Sequence, residues 1–305
     1  MPFFTIIIPT YNRASLISKA IESVLAQSFS DWELLIIDDG STDDTKTIVS
    51  NYNDTRIKYI YQKNAERCAA RNNGIDNASG AYICFLDSDD YYLHNRLEGL
   101  HSELQKRNFP IAAFYTGILW ERNGSINESA DGFYRPANIL DSIALSVIHS
   151  QRTCIHYSIL KQYKYNNAFH IGEDMELWIR IATTFDFIFL VNQLTVVLVE
   201  HEDQTVNVER DNIYFDQLQT LRFIFSPVHP GNKISANIKS KLLSNCFYGI
   251  GKYFIYKGRR WQAAAKLARS IMAEPSSIYF KFRLNVFLKL ILLSPMPKVK
   301  ELIAI

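Results

Sequence analysis

The chain has 305 residues, 48% of them apolar and 21% charged, which is enough apolar content for a sizeable core and too much for a disordered segment. With 12 Gly and 9 Pro it is not collagenous or of low complexity. Its formal net charge of +2 averages two blocks of opposite sign: residues 231–305 hold 14 Lys and Arg against two acids, Glu274 and Glu301, while residues 1–230 carry a net of −10.

The opening MPFFTIIIPTYNR has no basic segment before its apolar run and does not read as a signal peptide. Short β-branched runs at Thr5–Ile8, Leu34–Ile37, Ile57–Tyr61 and Tyr82–Leu86 read as buried parallel strands. Helical patterns lie between them, at Leu16–Leu25, after Thr42 and over Glu66–Ala78, with Ser79-Gly80 expected to cap the third in the manner of a helix C-terminus. This alternation predicts βαβ units and an α/β fold with a Rossmann-like, mostly parallel sheet. Residues 110–205 read as mixed α and β, with a helix starting near Gly172 and strands at Phe187–Val191 and Thr195–Val199. Residues 211–305 read as a helical appendage, about 212–225, 234–257, 259–273 and 277–293, broken by Pro and Gly. The expected division is a catalytic domain over 1–210 and a basic helical region over 211–305. No stretch reaches the roughly 18 apolar residues of a transmembrane helix. Cys68, Cys84, Cys154 and Cys246 show no metal-ligand spacing and point to thiols in a reducing compartment.

Ligands of open parallel sheets sit beyond the carboxyl ends of the strands. There the sequence places Pro9-Thr10-Tyr11, Asp38-Asp39-Gly40 and Asp87-Ser88-Asp89, with Arg67 and Arg71 on the third helix. No glycine-rich phosphate loop follows the first strand, so neither a dinucleotide fold nor a P-loop is indicated. Asp87 and Asp89, two apart after a strand, suit Mg²⁺ or Mn²⁺ holding phosphate oxygens; the plain alternative is a solvated turn with a helix cap. Asp39 at a strand end can accept from a base N–H, or serve a tight turn only.

The ordered strings IIIPTYNRA, WELLIIDDGSTDDT, NAERCAARNNGI and GAYICFLDSDD resemble those of the family-2 glycosyltransferases, strongly over the first 90 residues and weakly to about residue 205. The resemblance implies the A-type glycosyltransferase fold and a nucleotide-diphosphate sugar, UDP-linked in the first instance. It implies that Pro9, Thr10 and Tyr11 line the base, that Asp39 bonds a uracil ring with Arg71 beside it, and that Asp87 approaches the ribose, with Ser88 among the donor-binding residues. It further implies that Asp89 ligates Mn²⁺ or Mg²⁺, that Asp174 is the general base with Glu173 as the alternative, and that His201 contacts metal or phosphate. Each has a structural alternative: the Glu173–Asp174 pair suits the dipole of a helix first turn, and His201 suits packing.

The implied reaction is inverting transfer to a hydroxyl of a saccharide or lipid-linked saccharide in surface polysaccharide synthesis. Alternatives are a polyprenyl-phosphate glycosyltransferase and a non-catalytic nucleotide-sugar-binding scaffold. In residues 231–305 aromatics are mixed with cations, and Lys281, Asn285 and Lys289 form a polar stripe on an otherwise apolar helix interrupted by Arg283. That pattern suits an anionic membrane surface, or packing on protein; nucleic acid is not expected. The expected place is cytoplasmic, including the cytoplasmic face of a membrane.

Overall fold

The computed structural model describes residues 1–128, 138–146, 148–199, 213–277 and 279–292. It divides into two compact units, Met1–Arg135 with Ser146–Glu202, and Pro136–Leu145 with Asp203–Ile305.

The first unit holds the sheet. Its strands are β1 (Phe4–Thr10), β2 (Trp32–Asp38), β3 (Ile57–Tyr61), β4 (Tyr82–Phe85), β5 (Tyr91–Tyr92), β6 (Ala113–Arg122), β7 (Ser125–Glu128), β8 (Thr153–His156) and β9 (Phe187–Val199). They lie in the order β3-β2-β1-β4-β8-β6-β9-β5, with β7 paired to β6. The first four strands are parallel to one another; β8 is antiparallel to both its neighbours, β4 and β6. The two apolar runs expected after Phe187 are one strand, which pairs in parallel with β6 through two register shifts.

Both faces of the parallel part are covered, which is why its strands read as unbroken apolar runs. Phe4, Ile6, Ile8, Leu34 and Ile36 pack with the buried stripes of α1 (Ile17–Leu25) and α4 (Arg96–Gln105). Ile7, pointing the other way, meets α3 (Glu66–Asn77); the short helices α2 (Thr45–Ser50) and α6 (Tyr157–Gln162) belong to the same unit. Each buried Ile contributes about 1.5–3 kcal/mol.

Gly80 has a different role from the expected cap. Helix α3 ends at Asn77, and its C-cap residue Ala78 is extended. Gly80 instead lies flat against β1, donating its N–H to Thr5 Oγ1 at 2.8 Å, and a Cβ there would stand 2.6 Å from Thr5 N. The same Thr5 hydroxyl donates to the buried Glu33 carboxylate at 2.7 Å, which also accepts from Ser79 N and Oγ and from Lys58 Nζ. These contacts fix the amino-terminal ends of β1, β2 and β4.

The second unit contains α5 (Ile139–Leu145), α8 (Ile213–Ile224), α9 (Ala236–Tyr256), α10 (Arg260–Ala273) and α11 (Phe280–Leu292). Helix α9 packs against α5, α8 and α10, and α10 packs against α11. No helix among the described residues is long and apolar enough to cross a membrane.

Two consequences are measurable. Gly80→Ala forces the backbone of β1 away and is expected to cost about 1–3 kcal/mol in urea unfolding. Burial raises the Glu33 carboxyl, but the bonds from Lys58, Ser79 and Thr5 hold it below its ordinary value near 4.5. Stability from a depressed carboxyl is complete above its unfolded value and is lost as pH falls through the folded one. Glu33→Gln should therefore lower stability at neutral pH and flatten the loss of stability below about pH 4.5.

Candidate active site

Strand order reverses at β1, with β2 on one side and β4 on the other, and the crevice beyond their carboxyl ends is where the sequence put its polar residues. Thr10 ends β1. It is buried, its Oγ1 has no hydrogen-bond partner, and its carbonyl accepts from Asp39 N at 2.8 Å. Pro9 is half-buried and Tyr11 is exposed.

The neighbouring acids divide their labour. Asp38 is built into the turn, accepting from Ser41 N at 2.7 Å and from Tyr59 OH at 2.5 Å. Asp39 accepts through Oδ1 from Gln62 Nε2 at 2.6 Å and Ala65 N at 2.9 Å, while no described residue donates to its Oδ2. An unpartnered buried hydroxyl and a half-satisfied buried carboxylate side by side form a polar recess that a ligand N–H or O–H can complete.

Arg71 lies deeper, on α3, and is buried. Expected beside the base, it directs its bonds to carboxylates: Nη2 donates to Asp87 at 3.1 Å, and Nη1 to Glu173 at 3.2 Å and Asp174 at 3.5 Å. Its guanidinium lies over the ring of Tyr165 at 5.3 Å, and its Nε has no partner. Burial opposes its charge, but the carboxylates around it hold it firmly protonated. Reciprocally, burial raises the Asp87 carboxyl and Arg71 more than offsets this, leaving it low.

Glu173 and Asp174 open α7 (Glu173–Ala182), whose N-cap Gly172 takes the left-handed conformation at φ 81° that favours glycine. Burial and the adjacent Asp174 push the Glu173 carboxyl up. Asp174 is the more exposed of the two and is held from the other side by Ser150, whose Oγ donates at 2.5 Å and N–H at 3.1 Å.

Past β4, Asp87, Asp89 and Asp90 bring carboxylate oxygens within 4.8 Å of one another, and Ser88 between them is buried. Gln151 Nε2 bridges two of them, donating to Asp87 at 3.0 Å and Asp90 at 2.7 Å, and Val199 N donates to Asp90 at 2.9 Å. Burial and the two neighbouring carboxylates push Asp90 well up. Three converging hard oxygens fit a divalent cation such as Mg²⁺ or Mn²⁺.

The structure thus brings Thr10, Asp39, Arg71, Asp87, Ser88, Asp89, Glu173 and Asp174 to one rim. His201 lies outside the described residues. The sequence offers the segment Gln151-Arg152-Thr153 only as a contributor to the acceptor pocket, with nothing in its chemistry to single it out, and gives no signal at Ser150 or Tyr165; Gln151 bridges Asp87 and Asp90.

Residues 5–163, just over half of the chain, match the family described as Glycosyl transferase family 2. Over 277 residues, 87% of each chain, the protein is 27% identical to the GalNAc(5)-diNAcBac-PP-undecaprenol beta-1,3-glucosyltransferase of Campylobacter jejuni. Over 123 residues, 40% of this chain and 48% of the relative, it is 45% identical to the UDP-Glc:alpha-D-GlcNAc-diphosphoundecaprenol beta-1,3-glucosyltransferase of Escherichia coli. An uncharacterized glycosyltransferase of Rickettsia felis is 36% identical over 181 residues, 59% of this chain but 30% of that protein. Among solved structures, S. aureus TarS 1-349 in complex with UDP-GlcNAc superposes with a TM-score of 0.63 at 18% identity, over 94% of this chain and 84% of TarS 1-349. The mannosyltransferase PcManGT of Pyrobaculum calidifontis, in complex with GDP-Man and Mn²⁺, does so at 0.53 and 18%, over 97% and 82%. The chain belongs to glycosyl transferase family 2 and has the A-type glycosyltransferase fold.

Proposed function

We propose that the protein is an inverting, metal-assisted transferase that moves a sugar from a UDP-sugar to a hydroxyl of a saccharide carried on a polyprenyl diphosphate lipid. The observation that carries this reading is the Arg71 cluster, in which one buried guanidinium binds the donor-side Asp87 and the acidic pair of α7 together. Both relatives named above from C. jejuni and E. coli are β-1,3-glucosyltransferases for undecaprenol-linked saccharides, which makes UDP-glucose the first donor to test.

In this reading residues 1–210 are the catalytic domain and 211–305 a basic region that meets an anionic membrane on its cytoplasmic face. Asp39 Oδ2 accepts from the uracil ring N–H, with Pro9, Thr10 and Tyr11 along the base. Asp87, steadied by Gln151 and Arg71, faces the ribose, with Ser88 next to it in the donor-binding loop. Asp89 with its neighbours would hold a divalent cation, which would supply positive charge at the diphosphate leaving group. His201 is the proposed further contact to that diphosphate or metal. Glu173 is buried against Arg71, whereas Asp174, the more exposed of the pair, takes the proton of the acceptor hydroxyl. Ser150 and Arg71 fill three of the roughly four lone-pair positions of the Asp174 carboxylate and fix its direction, leaving one for that proton. Positioned base catalysis of this kind contributes about 10²–10⁴-fold.

Transfer from UDP-glucose to an undecaprenyl-diphosphate-linked saccharide in the presence of Mn²⁺ tests the assignment, read by product mass and anomeric NMR coupling. A β-linked product is expected, and Asp174→Asn should bind UDP-glucose normally while losing about 10²–10⁴-fold in turnover; near-normal turnover removes Asp174 from the role. Asp89→Ala should weaken Mn²⁺-dependent binding of UDP-glucose by at least about tenfold in calorimetry. Unchanged binding would show that Asp89 is not the ligand.

A further inference from the structure

The helical unit does not offer α11 to a membrane as a free amphipathic helix. Val286 and Leu290 are buried, and Arg283, which interrupts the apolar circumference in sequence, is buried as well. Its Nη1 donates to Ser244 Oγ and to Ser270 Oγ at 3.2 Å, its Nη2 to Asn245 Oδ1 at 2.8 Å, and Glu274 stands 4.0 Å away. Arg283 therefore pins α11 into α9 and α10. A lipid surface can be met only by what this bundle leaves outside.

Exposed apolar side chains occur at several places on the unit, Met272, Tyr279, Phe223 and Val228 among them, but one group of them sits beside several exposed cations and far from Glu274. Arg260, the first residue of α10, donates from its guanidinium to the carbonyls of Leu290 and of Ile291, the latter at 2.9 Å, tying the start of α10 to the finish of α11. At that junction Trp261 is 69% exposed, Leu292 73%, Leu288 42% and Tyr256 37%. Lys257 and Arg259 are exposed in the turn between α9 and α10, and the Arg260 guanidinium lies 5.6 Å from the Trp261 ring. Of the two acids in residues 231–305, Glu274 follows the far end of the 14-residue α10, about 20 Å away, and Glu301 lies outside the described residues.

An exposed indole beside aliphatic tips, framed by cations, matches the chemistry of the interface between anionic headgroups and acyl chains. A second copy meeting it corner to corner would bring like charges together, whereas an anionic lipid surface is complementary to it. We infer that the corner formed by Tyr256–Trp261 and the end of α11 is where this protein enters a bilayer surface containing anionic phospholipid, with Trp261 as the inserted anchor. This assignment rests on the proposed membrane role of the basic region and narrows it to one end of the bundle.

The full chain is titrated with phosphatidylcholine vesicles with and without phosphatidylglycerol, following flotation and tryptophan emission. Trp32 and Trp178 are buried and Trp120 is half-buried, so a blue shift on vesicle binding reports mainly Trp261. The expected result is partition onto the anionic vesicles with a blue shift. Trp261→Ser should lose the shift and weaken partition on the order of tenfold. Lys257→Gln combined with Arg259→Gln should weaken it about 25-fold, about fivefold for each cation. Unchanged thermal melts establish that these surface variants fold. If the unvaried chain binds and Trp261→Ser binds equally well with the same shift, the corner is overturned while the membrane role of the basic region stands. If the unvaried chain leaves anionic vesicles bare, both fall. If Trp261→Ser instead converts a dimer to a monomer in sedimentation, the corner is an interface between copies and the assignment is overturned.

Discussion

A buried guanidinium facing three carboxylates is the constraint around which the catalytic unit is arranged. Arg71 must carry its charge where solvent does not reach, and it can do so only because Asp87, Glu173 and Asp174 stand around it. The planar fork of arginine reaches several acceptors at fixed angles, which a lysine in the same place does not do. Taking one partner from a buried ion pair typically costs roughly 3–5 kcal/mol, because a charge is left without compensation. The site therefore has little freedom to separate its parts. The loop after β4 and the first turn of α7, 87 residues apart in sequence between Asp87 and Asp174, are held at one distance by a side chain from α3.

Around that hub, smaller contacts divide the remaining work. Gln151 keeps Asp87 and Asp90 from drifting apart despite their mutual repulsion, and Ser150, its neighbour, aims Asp174. Both come from the turn preceding β8, the antiparallel strand inserted between β4 and β6. The insertion of β8 is thus what brings a polar turn under the acidic loop.

Residues at the ends of β1, β2 and β4 were legible in the sequence because apolar β-branched runs stop abruptly there and a parallel sheet presents those ends together. Asp39, Asp87 and Asp89 could be placed on one rim from that rule alone. Glu173 and Asp174 needed the family resemblance, since acids in a helix first turn are common for dipole reasons. Ser150 was hidden, and Gln151 was legible only as part of a segment near the acceptor pocket, because their partners lie 24 to 64 residues away across an antiparallel insertion that no local pattern announces. Gly80 misled for a related reason: a glycine after a helix reads locally as a cap, whereas its requirement is the backbone of β1, 75 residues earlier. Arg283 shows the same limit, since the polar residues that receive it sit on two other helices.

The helical unit takes α5 from the middle of the chain. Asn138 donates to the Lys233 carbonyl, and Asp141 accepts from Ser235 N at 2.8 Å across 94 residues. A ribosome therefore delivers one wall of that unit long before its remaining helices exist. The apolar side of α5, with Leu140, Ile143 and Ala144, has no α9 to cover it until the last third of the chain has been made. The sheet unit, whose described strands are all complete by residue 199, can close first. During synthesis α5 is thus a waiting half-site, which makes the interval between residues 145 and 236 the stage at which a holdase chaperone has most to shield.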